Sequence, residues 1–484
     1  MFISNVTLRC ARENKTIMNN VKKYGAIAGG VALVLCWPLA VGKIGQTAME
    51  KFVGNLNGSS VSAKIVSYDR GYLSSVVKTE VDIKNPTLLQ QLKADGMPTS
   101  YVITSDVSHG LYRLTSHSML DGYADFPVTL DTVTQLNGNT KYKVNVANWH
   151  VKGKDNSNGN YSISMSPSYL SGDVSVLGKA SFKLNIPSIE LDFDSGEKML
   201  ISSITGQGLG KRDKGFWLGE QTLNLGELKV VTNKVPHTIT QDHHSASTVS
   251  MKTVSSVNEG TDNDLTPASK NTAPAVSTQH TTFVLKDGKL HFRSSLGDKG
   301  ERIDTHHTLS VKTVTMADGT QASDLMLDAT LGNIDKLSFE KITELLQKSE
   351  SMTNEDIQHT VPYVNSLFDK GFYLAVNQLS MKVGKGEFRS DLKFVIPAGT
   401  ANVVKNPMVL LTALQGHLNT FLNTAIVKDY PFMQREIDSA VANKMMTKTD
   451  KGYDVKAKIE QGNLVFENGH KIPLLGLFIG NMVH

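Results

Sequence analysis

The chain has 484 residues, 40% of them hydrophobic, with 50 basic and 46 acidic side chains for a net charge of +4. That length exceeds one ordinary domain and the apolar content suffices for packed cores. The near-balanced charge, with no basic aromatic-laced patch, excludes the footprint of a nucleic-acid binder. The two cysteines, Cys10 and Cys36, both precede the main body, which therefore has no disulfide, thiolate metal site or cysteine nucleophile.

Residues 24–42, YGAIAGGVALVLCWPLAVG, carry no charge and follow Lys22 and Lys23. A run of this length and polarity reads as a membrane-crossing helix. A cleaved secretory signal shares the basic start and apolar middle, and Ala40-Val41-Gly42 is a passable cleavage site. The run is longer than a typical signal core, which favours an uncleaved anchor. Before it, Arg9, Arg12, Lys15, Lys22 and Lys23 stand against one acid, Glu13. The positive-inside rule puts that end in the cytoplasm. The expectation is a single-pass protein of a bacterial inner membrane with its body in the periplasm. Met18 reads as an ordinary start, so residues 1–17 read as an upstream extension and 18–45 as stub and anchor.

Past the anchor, residues 47–55 read as the end of a helix. Residues 77–83 alternate apolar or β-branched with charged side chains, the period of a strand with one buried face. Asn85-Pro86 reads as an N-cap and first helical position, with Leu88, Leu89 and Leu92 following until Gly96. Tyr142-x-Val144-x-Val146, residues 180–186 and Leu223-x-Leu225 repeat the strand alternation, with polar outward positions. This is the pattern of antiparallel sheet with one wet face, and 46–233 reads as a β-rich N-terminal domain.

Residues 234–281 are rich in Ser, Thr, Asn, Asp and His, hold one leucine, Leu265, and have no aromatic. They lack the apolar surface to offset the entropy of ordering and read as a disordered linker or insert. The His243-His244 pair there reads as solvated, since no cysteine or carboxylate cluster stands at ligand spacing.

Residues 282–484 read as an α+β C-terminal domain. Residues 285–292 form a predicted hairpin around Asp287-Gly288, and 324–331 and 388–396 alternate as strands. Helices are expected at 337–348 and at 354–370, the latter bent by Pro362. A third opens at Asn406-Pro407, with Met408, Leu411, Leu414, Leu418, Leu422 and Ile426 on one side. A fourth opens at Pro431, with Met433, Ile437, Val441 and Met445 at steps of four. Residues 456–466 return as a strand pair around Gln461-Gly462. The fold class is α+β, predominantly antiparallel β: long curved sheet with C-terminal amphipathic helices and one N-terminal transmembrane helix.

No catalytic motif is present: no GxSxG, HExxH or GxxxxGK[ST]. Gly206-Gln207-Gly208-Leu209-Gly210 matches neither dinucleotide nor phosphate-loop spacing and reads as a flexible turn. Asp192-Phe193-Asp194-Ser195-Gly196 is one residue short of a calcium loop and lacks its downstream glutamate. The expectation is a protein that is not an enzyme, with no cofactor, no metal and no catalytic residues. Arg70-Gly71 sits between two strand patterns, so Gly71 is expected to permit a turn or bulge, flanked by Tyr68 and Tyr72.

Tyr68-Asp69-Arg70-Gly71-Tyr72-Leu73-Ser74-Ser75 resembles the Y-x-R-G-aromatic-x-S segment of the YdgA-like family of bacterial envelope proteins, a family of unknown function. Tyr68, Arg70, Gly71 and Ser74 carry it. Ser108-His109-Gly110-Leu111 resembles that family's H-G-P-L segment, with Leu111 in place of proline. Gly215-Phe216-Trp217-Leu218-Gly219 and residues 462–469 are similar to it as well. The resemblance implies an inner-membrane anchor and a periplasmic body, and carries over no catalytic residues. A looser likeness to AsmA-like proteins implies long curved sheets with an apolar groove. Two functions follow. One is a non-enzymatic envelope protein that binds membrane lipid or another apolar ligand, with Phe182, Leu184 and Phe394 as groove residues. The other is a membrane-tethered scaffold for envelope proteins. The oligomeric state is open.

Overall fold

The computed structural model describes residues 46–476 apart from 235–278 and shorter gaps at 48–49, 51–52, 55–56, 58–60, 87–88, 91–92, 94–97, 122–126, 156–158, 214–215 and 347–352. The predicted anchor and nearly all of the polar linker lie outside the described residues. No helix among those described is long and apolar enough to cross a membrane.

One 22-stranded antiparallel sheet carries the fold. Its first strands are β1 (Val61–Arg70), β2 (Ser74–Ile83), β3 (Ser100–His109), β4 (Arg113–Leu120), β5 (Val128–Gln135), β6 (Thr140–Val146), β7 (Trp149–Asp155), β8 (Gly159–Met165) and β9 (Ser168–Val174). Six long strands form the middle: β10 (Lys179–Phe193), β11 (Lys198–Asp213), β12 (Phe216–Lys234), β13 (Gln279–Gly297), β14 (Arg302–Thr315) and β15 (Gln321–Asp335). The sheet closes with β16 (Phe372–Val383), β17 (Gly386–Ile396), β18 (Gln415–Asn423), β19 (Thr447–Lys448), β20 (Gly452–Glu460), β21 (Asn463–Phe466) and β22 (Lys471–Pro473). Nearly every strand pairs with its sequence neighbour, so the path is a meander. The exceptions are β6 with β9, which leaves the β7–β8 hairpin to pair with the far half of β10, and β18 with β20.

Helices enter only at certain connections, and between β2 and β3 the residues Pro86, Leu89, Gln90 and Lys93 are helical where Asn85-Pro86 predicts it. Between β15 and β16 come α1 (Lys336–Leu346) and α2 (Asn354–Asp369), between β17 and β18 comes α3 (Met408–Ala413), and between β18 and β20 come α4 (Thr424–Asp429) and α5 (Gln434–Ala442). Thr353 caps α2 in a full capping box with Asp356. The main buried cluster lies here: Leu422, Ile426, Val427, Ile437 and Tyr453, with Phe388, Val441 and others packed on it. Among the described residues, no connection from β3 to β14 carries an α-helix.

A line of irregularity crosses the middle strands. The ladders break along one line, leaving Pro187, Ser203, Gly226, Asp287, Lys312 and Asp324 in a row across β10 to β15, and between β11 and β12 the break takes in Ile204 and Leu225 as well. On alternate strands the skipped residue takes positive φ: Ser203 54°, Asp287 53°, Asp324 50°. The apolar phase changes at this line. Leu223 and Leu225 give way to Leu228 and Val230, and Phe283 and Leu285 give way to Leu290 and Phe292. In a regular strand, residues three apart point to opposite faces. Yet the Leu285 Cδ2 lies 3.3 Å from where a Cβ on Gly288 would stand. The crease therefore turns both apolar sets toward one face.

Several sequence expectations are corrected. Asp287-Gly288 makes no hairpin: β13 runs straight through it, and Asp287 takes its left-handed conformation within the crease. The third helix stops at Ala413, and Leu418 and Leu422 lie on β18. A spacing of four fits one helix turn and also one face of a strand, so the pattern could not separate them. The fourth begins as a single 3-10 turn at Pro431 and becomes helical at Gln434, ending before Met445. Residues 206–211 are no loop but the interior of β11. Lys234 and residues 279–281 belong to β12 and β13, which pair with each other across the position where the linker departs.

Candidate functional site

The sheet's registers align one position per strand into a continuous row. Leu130, Val144, Leu170, Leu184, Gly206, Leu223, Leu290, Leu309, Leu327 and Leu379 are directly opposite one another from β5 to β16. Directly paired residues share a face, so these side chains form one apolar stripe perpendicular to the strands. At the single glycine, Leu184 and Leu223 close over the gap: a Cβ on Gly206 would stand 3.3 Å from each. The stripe ends in hydroxyls on both sides. Beyond Leu130 the row continues as Ser118 and Ser105, bonded to each other at 2.7 Å. Beyond Leu379 it continues as Ser390 and Thr420, 2.9 Å apart.

Cover along the stripe is uneven. Near its first end Val77, Ser75, Thr79, Ser105 and His109 are buried. In the middle Leu223 and Leu290 remain 41% and 44% exposed. Helix α1 meets the central strands at their ends, with Phe339 on Phe216 at 5.5 Å and Lys336 on Asp213 at 3.1 Å.

A neighbouring row on the same face is built from aromatics laid on glycines. Tyr142 stands opposite Gly172 and Phe182 opposite Gly208; the Phe182 ring fills the space of a Cβ on Gly208, and a Cβ on Gly172 would meet the Ser181 carbonyl and the Tyr142 hydroxyl. Trp217 lies in the same way over Gly210 and meets Phe182 edge-on at 6.4 Å. Farther along, Phe292 and His307 are 4.9 Å apart. Burial, with the neighbouring His306, lowers the His307 pKa, which favours its neutral ring. Burial and the nearby Asp173 raise that of Tyr142, which keeps the phenol protonated.

Phe182 and Leu184 thus sit half-buried on the apolar face. Phe394 falls on the same face through Leu331 and Leu374, near the C-terminal end, opposite Gly416. Of the motif residues, Tyr68 lies opposite Val77 at the first end of the leucine row, Arg70 ends β1, and Ser74 opens β2. Gly71 forms the intervening turn and its N–H donates to the Ser74 carbonyl at 2.7 Å. The buried polar pair of this region was not singled out in the sequence: Ser75 Oγ lies 2.8 Å from His109 Nε2. Its signal was period two, which puts Ser75 and not Ser74 on the buried side.

A concavity of about 530 Å³ opens on the other face. Lys141, Asp173, Ser181, Leu209 and Glu220 form one rim and Lys183, Gln207, Thr222 and His291 the other. The backbone of the Tyr142–Phe182 row makes its floor, and Leu170, Leu184 and Leu223 take no part. Its side chains are mixed in charge, and no group of three or more His, Cys, Asp or Glu among the described residues could hold a metal.

The buried acid Asp335 serves structure. It accepts from Ser338 N at 3.0 Å and Ser338 Oγ at 2.6 Å, and pairs with Lys370 Nζ at 2.6 Å, tying β15, α1 and the end of α2 together. Burial acts to raise its pKa, but the bonds from Lys370 and Ser338 outweigh it and hold the carboxyl below its usual value.

A family model described as a bacterial protein of unknown function, DUF945, matches residues 21–475. Comparison with curated proteins and with solved structures returned no match.

Proposed function

The chain belongs to the DUF945 family of bacterial proteins of unknown function, and on that footing we propose that it binds an apolar chain along the leucine row. The observation that carries this reading is the unbroken register from Leu130 to Leu379. Nine strand spacings of about 4.8 Å span about 43 Å. One acyl leaflet is about 15 Å, half the hydrocarbon core of a bilayer. The stripe is therefore long enough for an acyl chain lying across the strands. Open antiparallel sheets of more than about ten strands curl, and curling toward the apolar face would wall the stripe. Exposed leucine in mid-sheet costs about 25 cal/mol per Å² until something covers it. The finer family likeness to YdgA-like and AsmA-like proteins, the anchor at residues 24–42 and the periplasmic placement belong to the same reading, with membrane lipid as ligand. So does the absence of catalysis.

The test is mass spectrometry of lipids carried by the purified full-length protein, wild type beside Leu223→Lys and Leu290→Lys. Stoichiometric lipid lost in the lysine variants supports the reading. Absence of lipid from the wild type, with stable binding of an envelope protein instead, supports a tethered scaffold and overturns it. Reporter fusions after Glu50 and at the C-terminus test the topology. Activity as cytoplasmic reporters would refute it.

A further inference from the structure

We propose that one edge of the sheet docks on an anionic lipid surface through the tips of four hairpins. The hairpins β1–β2, β3–β4, β5–β6 and β9–β10 all turn at the same edge. Their tips carry Tyr72 and Leu73, Leu111 and Tyr112, Leu136, and Val176 and Leu177. All seven are exposed, Tyr112 at 78% and Leu177 at 81%.

Tight turns favour Gly, Asn, Asp, Ser and Pro for conformational reasons. Three hairpins at the opposite edge obey this, with Asp194-Ser195-Gly196, Ala317-Asp318-Gly319 and Gly384-Lys385. The tip edge does not. Its glycines make the bends, Gly138 at φ 83° and Gly178 at φ 77°, and the protruding positions are given to large apolar side chains.

The tips form one row. His109 N–H donates to Leu73 O at 2.7 Å, which joins the first two. Val176 N–H donates to Asn139 Oδ1 at 3.3 Å, and a Cβ on Gly138 would meet the Val176 side chain, which joins the last two. Tyr112 and Leu136 line one shallow depression between the pairs. Across eight strands the row is about 34 Å long.

Charge decides the occupant. Just behind the tips stand Arg70, Arg113, Lys141 and Lys179, all exposed and none ion-paired among the described residues. Two acids, Asp69 and Asp173, share the edge. Apolar tips that include two tyrosines, with a cationic collar one to five residues along the chain, match the layers of a bilayer interface: acyl chains, headgroup level, anionic phosphates. On the C-terminal side the same edge is occupied by α1, α2 and α3, so the bare tips are confined to the first half. This inference does not depend on what fills the leucine row.

The test uses the full-length chain with Cys10→Ser and Cys36→Ser and one new cysteine, Tyr112→Cys or Leu177→Cys, or Ala317→Cys at the opposite edge. Each is labelled with an environment-sensitive fluorophore and mixed with vesicles of phosphatidylglycerol and phosphatidylethanolamine bearing chain-brominated lipid. The label at 112 and at 177 should shift blue and be quenched, and that at 317 should do neither. Replacing phosphatidylglycerol by phosphatidylcholine should weaken the response at least tenfold. Leu111→Asp with Val176→Asp and Leu177→Asp should abolish it at 112. Equal behaviour of the tip and control labels, or a stronger response at 317, would overturn the proposal, because docking through the tips brings that edge alone to the vesicle. So would a tip response that appears only with envelope protein extract, or one indifferent to lipid charge.

Discussion

The strands at the C-terminal end of the sheet and those in its middle have the same alternation and opposite fates. At β17, β18 and β20, α4 and α5 lie on the apolar face and seal Leu422, Ile426, Val427, Ile437 and Tyr453. At β12 and β13 the equivalent side chains, Leu223 and Leu290, meet solvent. Strand pattern alone made neither outcome. The difference lies in the connections: the one carrying α4 and α5 supplies a helical lid, and among the described residues the connections of β12 and β13 supply none. A core is thus a property of strand plus connection: an apolar sheet face is closed only where a connecting helix or another layer is laid on it.

The sharpest way to break this contrast is to empty the sealed end. Ile437→Ala should cost about 2–5 kcal/mol, the range for a large-to-small change in a closed core, whereas Leu223→Ala should cost about 1 kcal/mol or less because the lost side chain was half in water. Urea denaturation of the two variants measures the gap. Equal losses would mean that the middle is as well packed as the end.

Next in size is the tie that holds the helical lid at the other edge. Lys370→Met leaves the buried Asp335 carboxylate without its cation and should destabilise by about 1–3 kcal/mol at neutral pH. The folded pKa of Asp335 is depressed relative to an unfolded value near 3.9. Its contribution is therefore complete above about pH 4 and fades as pH falls through the lower folded value. The difference between wild type and Lys370→Met should shrink in that acid window and stay constant from pH 5 to 8. A difference that grows on acidification would refute the assignment.

An effect of similar size is expected where an aromatic rests on glycine. Gly208→Ala puts a methyl where the Phe182 ring lies, and the ring must swing away at about 1–3 kcal/mol, the usual overpacking range. Near-ultraviolet circular dichroism should change with it, since Phe182 packs on Trp217. The smallest stability change belongs to Leu290→Lys. An exposed site away from any cap or cavity moves by about 0.5 kcal/mol or less, so an unchanged melting curve beside lost lipid would separate binding from folding.

Much of the fold could be read from the residues, and the misreadings share one cause. Alternation at 77–83, 180–186 and 388–396 marks β2, β10 and β17, because burial on a sheet follows period two wherever one face is wet. Asp287-Gly288 misled because two alternating runs out of phase, separated by a turn pair, describe a hairpin and a crease equally well. Leu418 and Leu422 misled because a step of four belongs to both periods. The leucine row was invisible for another reason. Each strand offers one residue to it, and only register, a long-range property, lines up Leu130, Leu184 and Leu379. The hairpin tips were visible one at a time, as apolar residues where turns prefer polar ones, but their shared edge was not.

Nearest-neighbour pairing gives the leucine row a ruler. Each of the ten strands β5, β6 and β9 to β16 gives the row one residue, so inserting or deleting one hairpin among them would move its two ends by about 9.6 Å and leave every other pairing as it was. Ser118 and Ser390 would travel with their own strands as end stops. The reach of the surface is counted in hairpins, and a chain of this design can be retailored for a longer or shorter occupant without redesigning either end.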